Sequence, residues 1–312
     1  MTTAAAHPSR SLPTPKELAH ALGDIKLAHS VFALPFAVLA AALAVPAGTS
    51  AGTVSGLVGL VVVCMVLART WAMLVNRLAD HAIDAANPRT ARRAVASGRV
   101  RVRAGWAIAL GCAALFVGAC SLFFVFFGNP WPVMLSVPVL GWIALYSYTK
   151  RFTALCHVFL GSALAISPVA AVIAVNPDAL LSPEIGGAVA CLAGFVLLWV
   201  AGFDVAYALQ DLDFDRSTDL HSIPAKLGAS GALWVSRAMH TMAFAGLVGA
   251  QLLSPALGLF FWLALVVVFA ALLIEHAVLA RQGVKGLPIA FFTMNGVISV
   301  AIAALGIADI LT

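Results

Sequence analysis

Charge is scarce in this chain of 312 residues. Only 10% of the residues are Asp, Glu, Lys or Arg, against about 25% in a soluble domain, and that shortage excludes a water-soluble globular protein. Cysteine is sparse too: Cys64, Cys112, Cys120, Cys156 and Cys191 fall in apolar stretches with no C-x-x-C spacing, so neither a disulfide framework nor a cysteine metal site is expected. There is no P-loop, dinucleotide-binding fingerprint, serine nucleophile elbow, haem attachment motif or D-x-x-D-G-x-x-A-R opening of a CDP-alcohol phosphotransferase. The amino-terminal stretch has no apolar core or small-residue cleavage site before the first long apolar run, so a removable signal peptide is not expected. What the chain has in excess is apolar surface: 62% hydrophobic residues and a mean hydropathy of +1.02, the signature of an all-α integral membrane protein.

Long apolar runs broken by Pro, Gly and charge predict nine spans, at about 25–46, 54–75, 104–127, 131–148, 154–175, 185–209, 233–253, 256–280 and 287–311. Residues 1–24 are expected to form a flexible tail with a short interfacial helix over 15–24, and 25–312 a single nine-helix domain. With nine spans, all but one of the 18 Lys and Arg residues fall on the amino-terminal side of the membrane, and the linkers near 46–54, 128–130, 176–184 and 252–256 carry none. This asymmetry predicts a cytoplasmic amino terminus in a multi-pass protein of the cell membrane. Topology and anionic lipid therefore account for the formal net charge of +5, and no nucleic-acid partner is implied.

The remaining cation, Arg69, lies inside the second span, where a charge must face a polar cavity or a partner. Arg69, Asn76, Asp80 and Asp84 are spaced 7, 4 and 4 along one helical face. The sixth span repeats the layout with Asp204, Asp211 and Asp215, and Tyr207 beside them. Carboxylates stacked four apart at a helix C-terminus repel one another and oppose the macrodipole, so a cation should compensate them. Mg²⁺ takes one or two carboxylates together with water and phosphate oxygens. Two facing acidic rows suit one or more Mg²⁺ ions holding a diphosphate.

In these residues the chain resembles the UbiA superfamily of intramembrane aromatic prenyltransferases, over nearly its whole length from Lys26 onward. One motif, N-x-x-x-D-x-x-x-D, matches Asn76, Asp80 and Asp84, and a second, D-x-x-x-D, matches Asp211 and Asp215. The stretches Lys26-Leu-Ala-His29-Ser30, Tyr146-Ser-Tyr148-Thr-Lys150-Arg151 and His221-Ser222-Ile223-Pro224-Ala225 are also similar. Many members carry Asn-Asp at the first motif, whereas Asn76 is followed here by Arg77. With Asn87-Pro88-Arg89-Thr90, that departure resembles the branch of the futalosine route to menaquinone, whose acceptor is a dihydroxynaphthoate.

The resemblance implies nine helices around a central cavity opening to the cytoplasm. It also implies Mg²⁺-dependent transfer of a polyprenyl group from its diphosphate to an aromatic acid. Asn76, Asp80, Asp84, Asp211 and Asp215 would hold Mg²⁺, and Lys150, Arg77 and Arg151 would meet the diphosphate. Tyr146, Tyr148 and Tyr207, all three tyrosines of the chain, offer ring faces to a carbocation or hydroxyls to phosphate; the alternative is an interfacial belt. Arg69 or Lys26 would receive the acceptor's carboxylate; alternatively Arg69 pairs with Asp204. Asp204 otherwise orients the acceptor or takes a proton. His29 either lines the cavity or satisfies a helix carbonyl, His81, His157, His240 and His276 share no ligand spacing and read as structural, and the Phe-rich stretch 123–127 reads as lipid-facing bulk. The favoured acceptor is a dihydroxynaphthoate, the alternative is 4-hydroxybenzoate in a ubiquinone-type pathway, and the reading from another class is a membrane transporter.

Overall fold

The computed structural model describes residues 12–25 and 32–312. Among these residues every regular element is helical. Helix α1 (Pro15–Asp24) starts with Pro at its first position and a reciprocal capping box, in which Thr14 and Glu17 satisfy each other's backbone N–H groups. It docks on the loop before α5 (Val102–Phe127): the Glu17 carboxylate accepts hydrogen bonds from the Arg101 side chain at 2.8 and 3.0 Å, and Asp24 Oδ2 accepts the Ala94 N–H at 3.0 Å. Hydrogen bonding from Arg101 holds the Glu17 carboxyl well below the usual carboxylate range.

Seven described segments are long and apolar enough to cross a membrane. They begin with α3 (Ala51–Ala79), α5, α6 (Trp131–Thr149) and α7 (Cys156–Val175), and continue with the segments Pro183–Ser217, Leu259–Gly286 and Pro288–Leu311. Two expected spans differ. The first is represented by α2 (Leu34–Ala44), only 11 residues long, with 26–31 outside the described residues. The span expected at 233–253 lies in α10 (Ile223–Leu253), whose apolar run is interrupted by Arg237, His240 and Gln251. It starts ten residues earlier than expected because Gly228, at φ 71° and ψ 178°, joins a short lead-in helix to the long one, a conformation that favours glycine.

The two acidic motifs do not lie on continuous helices. Helix α3 stops at Ala79, Asp80 takes φ −94° and ψ 7°, and α4 (His81–Ala86) starts afresh with Asp84 in its first turn. Likewise α8 (Pro183–Tyr207) passes through a 3₁₀ turn at Ala208–Asp211 into α9 (Leu212–Ser217). The helical-face spacing predicted for both rows is therefore broken at Asp80 and again after Tyr207.

Helix α8 is the central post, packed between α7 and α10, and its Leu192, Phe195 and Trp199 are fully buried. Gly161 of α7 permits the close approach: a Cβ there would stand 2.2 Å from the Leu197 carbonyl oxygen. Aromatic residues recur at every fourth position along one face of α8. Phe195 stacks on Trp199 at 5.5 Å between ring centroids, Trp199 meets Phe203 edge-on at 5.2 Å, and Tyr207 lies 4.4 Å from Phe291 in the π-helical turn Pro288–Met294. This ladder runs from the core to the acidic end. The remaining helices are α11 (Leu259–Gln282) and α12 (Asn295–Leu311), and Trp199 Nε1 donates to Asn295 Oδ1 of α12 at 2.9 Å. In the Phe-rich stretch Phe124 and Phe126 are exposed, while Phe123 is buried in the core and so departs from the expectation of lipid-facing bulk.

Candidate active site

Two cavities adjoin at the end of the bundle where α3, α6 and α8 stop. One, of about 540 Å³, is polar. It is lined by all five expected metal-binding residues, Asn76, Asp80, Asp84, Asp211 and Asp215, together with Arg69, Arg77, Tyr146, Lys150, Asp204 and Tyr207. The other, of about 510 Å³, is walled by apolar side chains including Val61, Met65, Phe116, Phe123, Leu135 and Ile173. Arg69, Met73, Tyr146, Leu160 and Leu164 line both cavities and mark their junction.

The carboxylates do not converge into one cluster. Among the described residues no three His, Cys, Asp or Glu side chains are placed to hold a metal by themselves. Each acidic group instead has its own partner. Asp80, 2% exposed, accepts from Lys150 Nζ at 2.6 Å, from Arg151 at 3.0 Å and from Asn76 Nδ2 at 3.2 Å. Asp84 receives both oxygens' bonds from Arg93 Nη1, at 2.8 and 2.9 Å. Asp211 is gripped by the Arg89 guanidinium through two bonds and by Asn87 Nδ2 at 2.9 Å. Asp215 accepts the Ser222 hydroxyl at 2.8 Å. Burial alone would lower the Arg89 guanidinium, but its bonds to Asp211 raise it above its ordinary value.

Arg77 donates to Asn76 Oδ1 at 2.9 Å and lies 3.7 Å from Asp24. Arg69 is unpaired: among the described residues it joins no ion pair, and its buried Nε has no hydrogen-bond partner. The expected alternative of an Arg69–Asp204 brace is replaced by another pair, because Asp204 Oδ2 sits 2.7 Å from His157 Nδ1. His157 is thus a wall of the site.

Two expected residues stand elsewhere. Tyr148 is 37% exposed and lines neither cavity; its ring lies under Arg151 at 5.3 Å. Arg151 supports Asp80 from behind, also donating to the Ala79 and Ser147 carbonyls. Lys26 lies outside the described residues, as does His29. Conversely, Asp24, Asn87, Arg89, Arg93, His157 and Ser222 complete the site without having been singled out as its members. For Arg89 and Arg93 the available signal was a dense run of arginines directly after the first acidic motif, which the charge asymmetry absorbs as topology.

The donor set fits a divalent cation bound with a diphosphate. Hard carboxylate and amide oxygens for the cation and Lys150, Arg89 and Arg93 for phosphate line the same chamber. Those cations neutralise the acids directly.

Comparison with known proteins identifies the family. The UbiA prenyltransferase family matches residues 33–305, and the chain belongs to that family. A UbiA homologue from Aeropyrum pernix K1, solved in the apo state, is 32% identical, with a TM-score of 0.78 over 91% of this chain and 98% of that one. A UbiA homologue from Archaeoglobus fulgidus, solved with GPP and Mg²⁺, shares the fold at 16% identity, with a TM-score of 0.70 over 94% of this chain and all of the other. The 4-hydroxybenzoate octaprenyltransferase of Azotobacter vinelandii is 30% identical over 173 residues, 55% of each chain. That of Nitrosomonas europaea is 26% identical over 70% of each. The match thus spans little more than half the length of the first of these curated relatives.

Proposed function

We propose that this chain transfers a polyprenyl group from its diphosphate to an aromatic acid inside the membrane. The observation that carries this reading is the juxtaposition of a chamber lined by acids and arginines with an apolar chamber of similar volume, joined at Arg69 and Tyr146. The apolar chamber takes the isoprenoid chain. Lys150, Arg89 and Arg93 turn from the carboxylates to the diphosphate. Asn76, Asp80, Asp84, Asp211 and Asp215 would hold Mg²⁺, which supplies neutralisation of the departing diphosphate. Arg69 has an unused buried donor and meets the acceptor's carboxylate, a planar group suited to a guanidinium. Tyr146 and Tyr207 present ring faces to the developing allylic cation, and the apolar walls exclude water from it.

The acceptor favoured by the names of the curated relatives is 4-hydroxybenzoate. A dihydroxynaphthoate is the second reading, favoured by Arg77 in place of the usual Asp after Asn76. The charge asymmetry supports nine spans in the cell membrane, with the amino terminus and the site on the cytoplasmic side. Purified protein supplied with labelled polyprenyl diphosphate, Mg²⁺ and a panel of benzoates and naphthoates tests the proposal. A prenylated benzoate is the expected product, a prenylated naphthoate alone selects the second acceptor, and no product from any acceptor refutes the reading.

A further inference from the structure

Three polar residues interrupt the apolar run of α10, and two of them have partners inside the bundle. His240 Nε2 donates to the Trp199 carbonyl at 3.1 Å, and its Nδ1 lies 3.0 Å from His276 Nε2 of α11. Gln251 Nε2 donates to the Leu257 carbonyl at 2.6 Å. Arg237 has no such partner. Among the described residues its guanidinium joins no ion pair and no hydrogen bond, and it meets only the face of the Trp234 ring, 4.9 Å from the centroid. Trp234 is 66% exposed, so this stack lies on the outer surface of the bundle. No carboxylate stands by to compensate it. From residue 220 to residue 308 the chain carries Lys226, Arg237, Arg281 and Lys285 against the single acid Glu275, which is buried and joins no ion pair among the described residues.

The histidine pair sets the register of α10 against α11, and a seam between the two helices follows from it. Four residues beyond His240, Phe244 packs on Phe269 of α11 at 5.5 Å between centroids, and Phe269 is 51% exposed. In the other direction Arg237 stands three residues from His240, and Arg281 of α11 five from His276. At 1.5 Å per residue the two arginines lie about 4.5 and 7.5 Å from the histidines along antiparallel helices, so they differ by only about 3 Å in depth. Arg281 is exposed in the last turn of α11. The start of α10 adjoins the polar cavity, where the Ile223 N–H donates to His157, so the arginines mark the cavity's end of the bundle. An arginine on a face turned to hydrocarbon extends toward the phosphate level and needs an anion there.

We propose that this seam binds an anionic phospholipid, with its phosphate between Arg237 and Arg281 and an acyl chain along the Phe244–Phe269 pair. Charge complementarity selects an anion. The exposed rings of Trp234 and Phe269 on either side of the phosphate level select one that carries hydrocarbon, rather than free phosphate. Neither arginine lines the polar cavity, so the proposal stands apart from the prenyl-transfer reading.

The test uses full-length protein in nanodiscs of neutral phosphatidylcholine. Phosphatidylglycerol brominated near the top of its acyl chains is mixed in, or the same mole fraction of equally brominated phosphatidylcholine. Bromine quenches indole fluorescence on contact, and the difference between wild type and Trp234→Phe isolates the Trp234 signal. Trp234 should be half-quenched at a lower mole fraction of the anionic lipid than of the neutral one. Arg237→Gln should raise the half-quenching mole fraction of phosphatidylglycerol about fivefold, the preference that one cation near the membrane surface confers, and Arg281→Gln should shift it in the same direction. Added inorganic phosphate should leave the quenching as it was. Equal quenching by the two lipids, an unchanged preference in Arg237→Gln, or relief of quenching by inorganic phosphate would each overturn the proposal. If Arg237→Gln does not fold, the wild-type comparison of the two lipids decides alone.

Discussion

Asp80 offers the sharpest energetic test, because a buried carboxylate there faces two cations. We predict that Asp80→Asn costs stability as well as activity. At 2.6 Å from Lys150 and 3.0 Å from Arg151, each pair has a gross attraction of about 6 kcal/mol at an effective dielectric constant near 20. Desolvation offsets most of it. Removing one member of a fully buried pair costs about 3–5 kcal/mol because the other charge is stranded. Lys150 and Arg151 retain 29% and 32% exposure, so water compensates part of that and the expected loss is about 2–3 kcal/mol. Asp211→Asn removes a carboxylate that is itself 19% exposed, against 3% for Asp80, and should cost about 1 kcal/mol or less. Unfolding in mixed micelles of Asp80→Asn, of Lys150→Met with Arg151→Met, and of the triple variant closes a cycle. The triple variant should be more stable than Asp80→Asn alone. If Asp80→Asn is no less stable than Asp211→Asn, or if neutralising both cations restores nothing, the stranded-charge reasoning fails.

Arg69→Ala should raise the acceptor KM and leave the diphosphate KM unchanged; equal effects on both would remove the carboxylate-receiving role. Gly161→Ala places a Cβ 2.2 Å from a backbone oxygen of α8 and should destabilise by about 1–3 kcal/mol. Gly111→Ala in α5 meets nothing within 4 Å and serves as the neutral control in the same unfolding assay. Acid should release α1. The Glu17 carboxyl is held below its ordinary value, so its contribution is complete above about pH 4.3 and lost as pH falls further. A spin label on α1 should stay rigid at about pH 6 in the wild type, loosen progressively as pH falls below about 4, and already be mobile at about pH 6 in Glu17→Gln; equal rigidity of the two proteins at about pH 6 would refute the clamp.

Much of the site was legible in the sequence because intramembrane charge is costly. In a chain so poor in ionisable groups, Arg69, Asn76, Asp80, Asp84, Asp204, Asp211 and Asp215 stand out against apolar sequence, and all of them line one cavity. Spacing misled where backbone conformation changes: Asp80 and Asp84 fall four residues apart as on a helix, yet the helix ends between Asn76 and Asp84. Tyr148 and Arg151 shared a promising stretch with Tyr146 and Lys150. On α6, however, residues two apart face different directions, and the ring of Tyr148 lies outside both cavities. Arg89 and Arg93 were hidden among arginines that topology explains equally well.

Composition and periodicity by themselves determined that this chain folds as apolar helices. That follows from local physics: hydrocarbon accepts only backbone that is hydrogen-bonded within its own segment. Which cation meets which acid was decided by tertiary structure alone. Asp84 with Arg93, Asp211 with Arg89 and Asp204 with His157 are choices among several partners of equivalent charge. Only the docking of α7 and α10 on α8, set by close contacts such as Gly161 against Leu197, brings one of each set within hydrogen-bond distance.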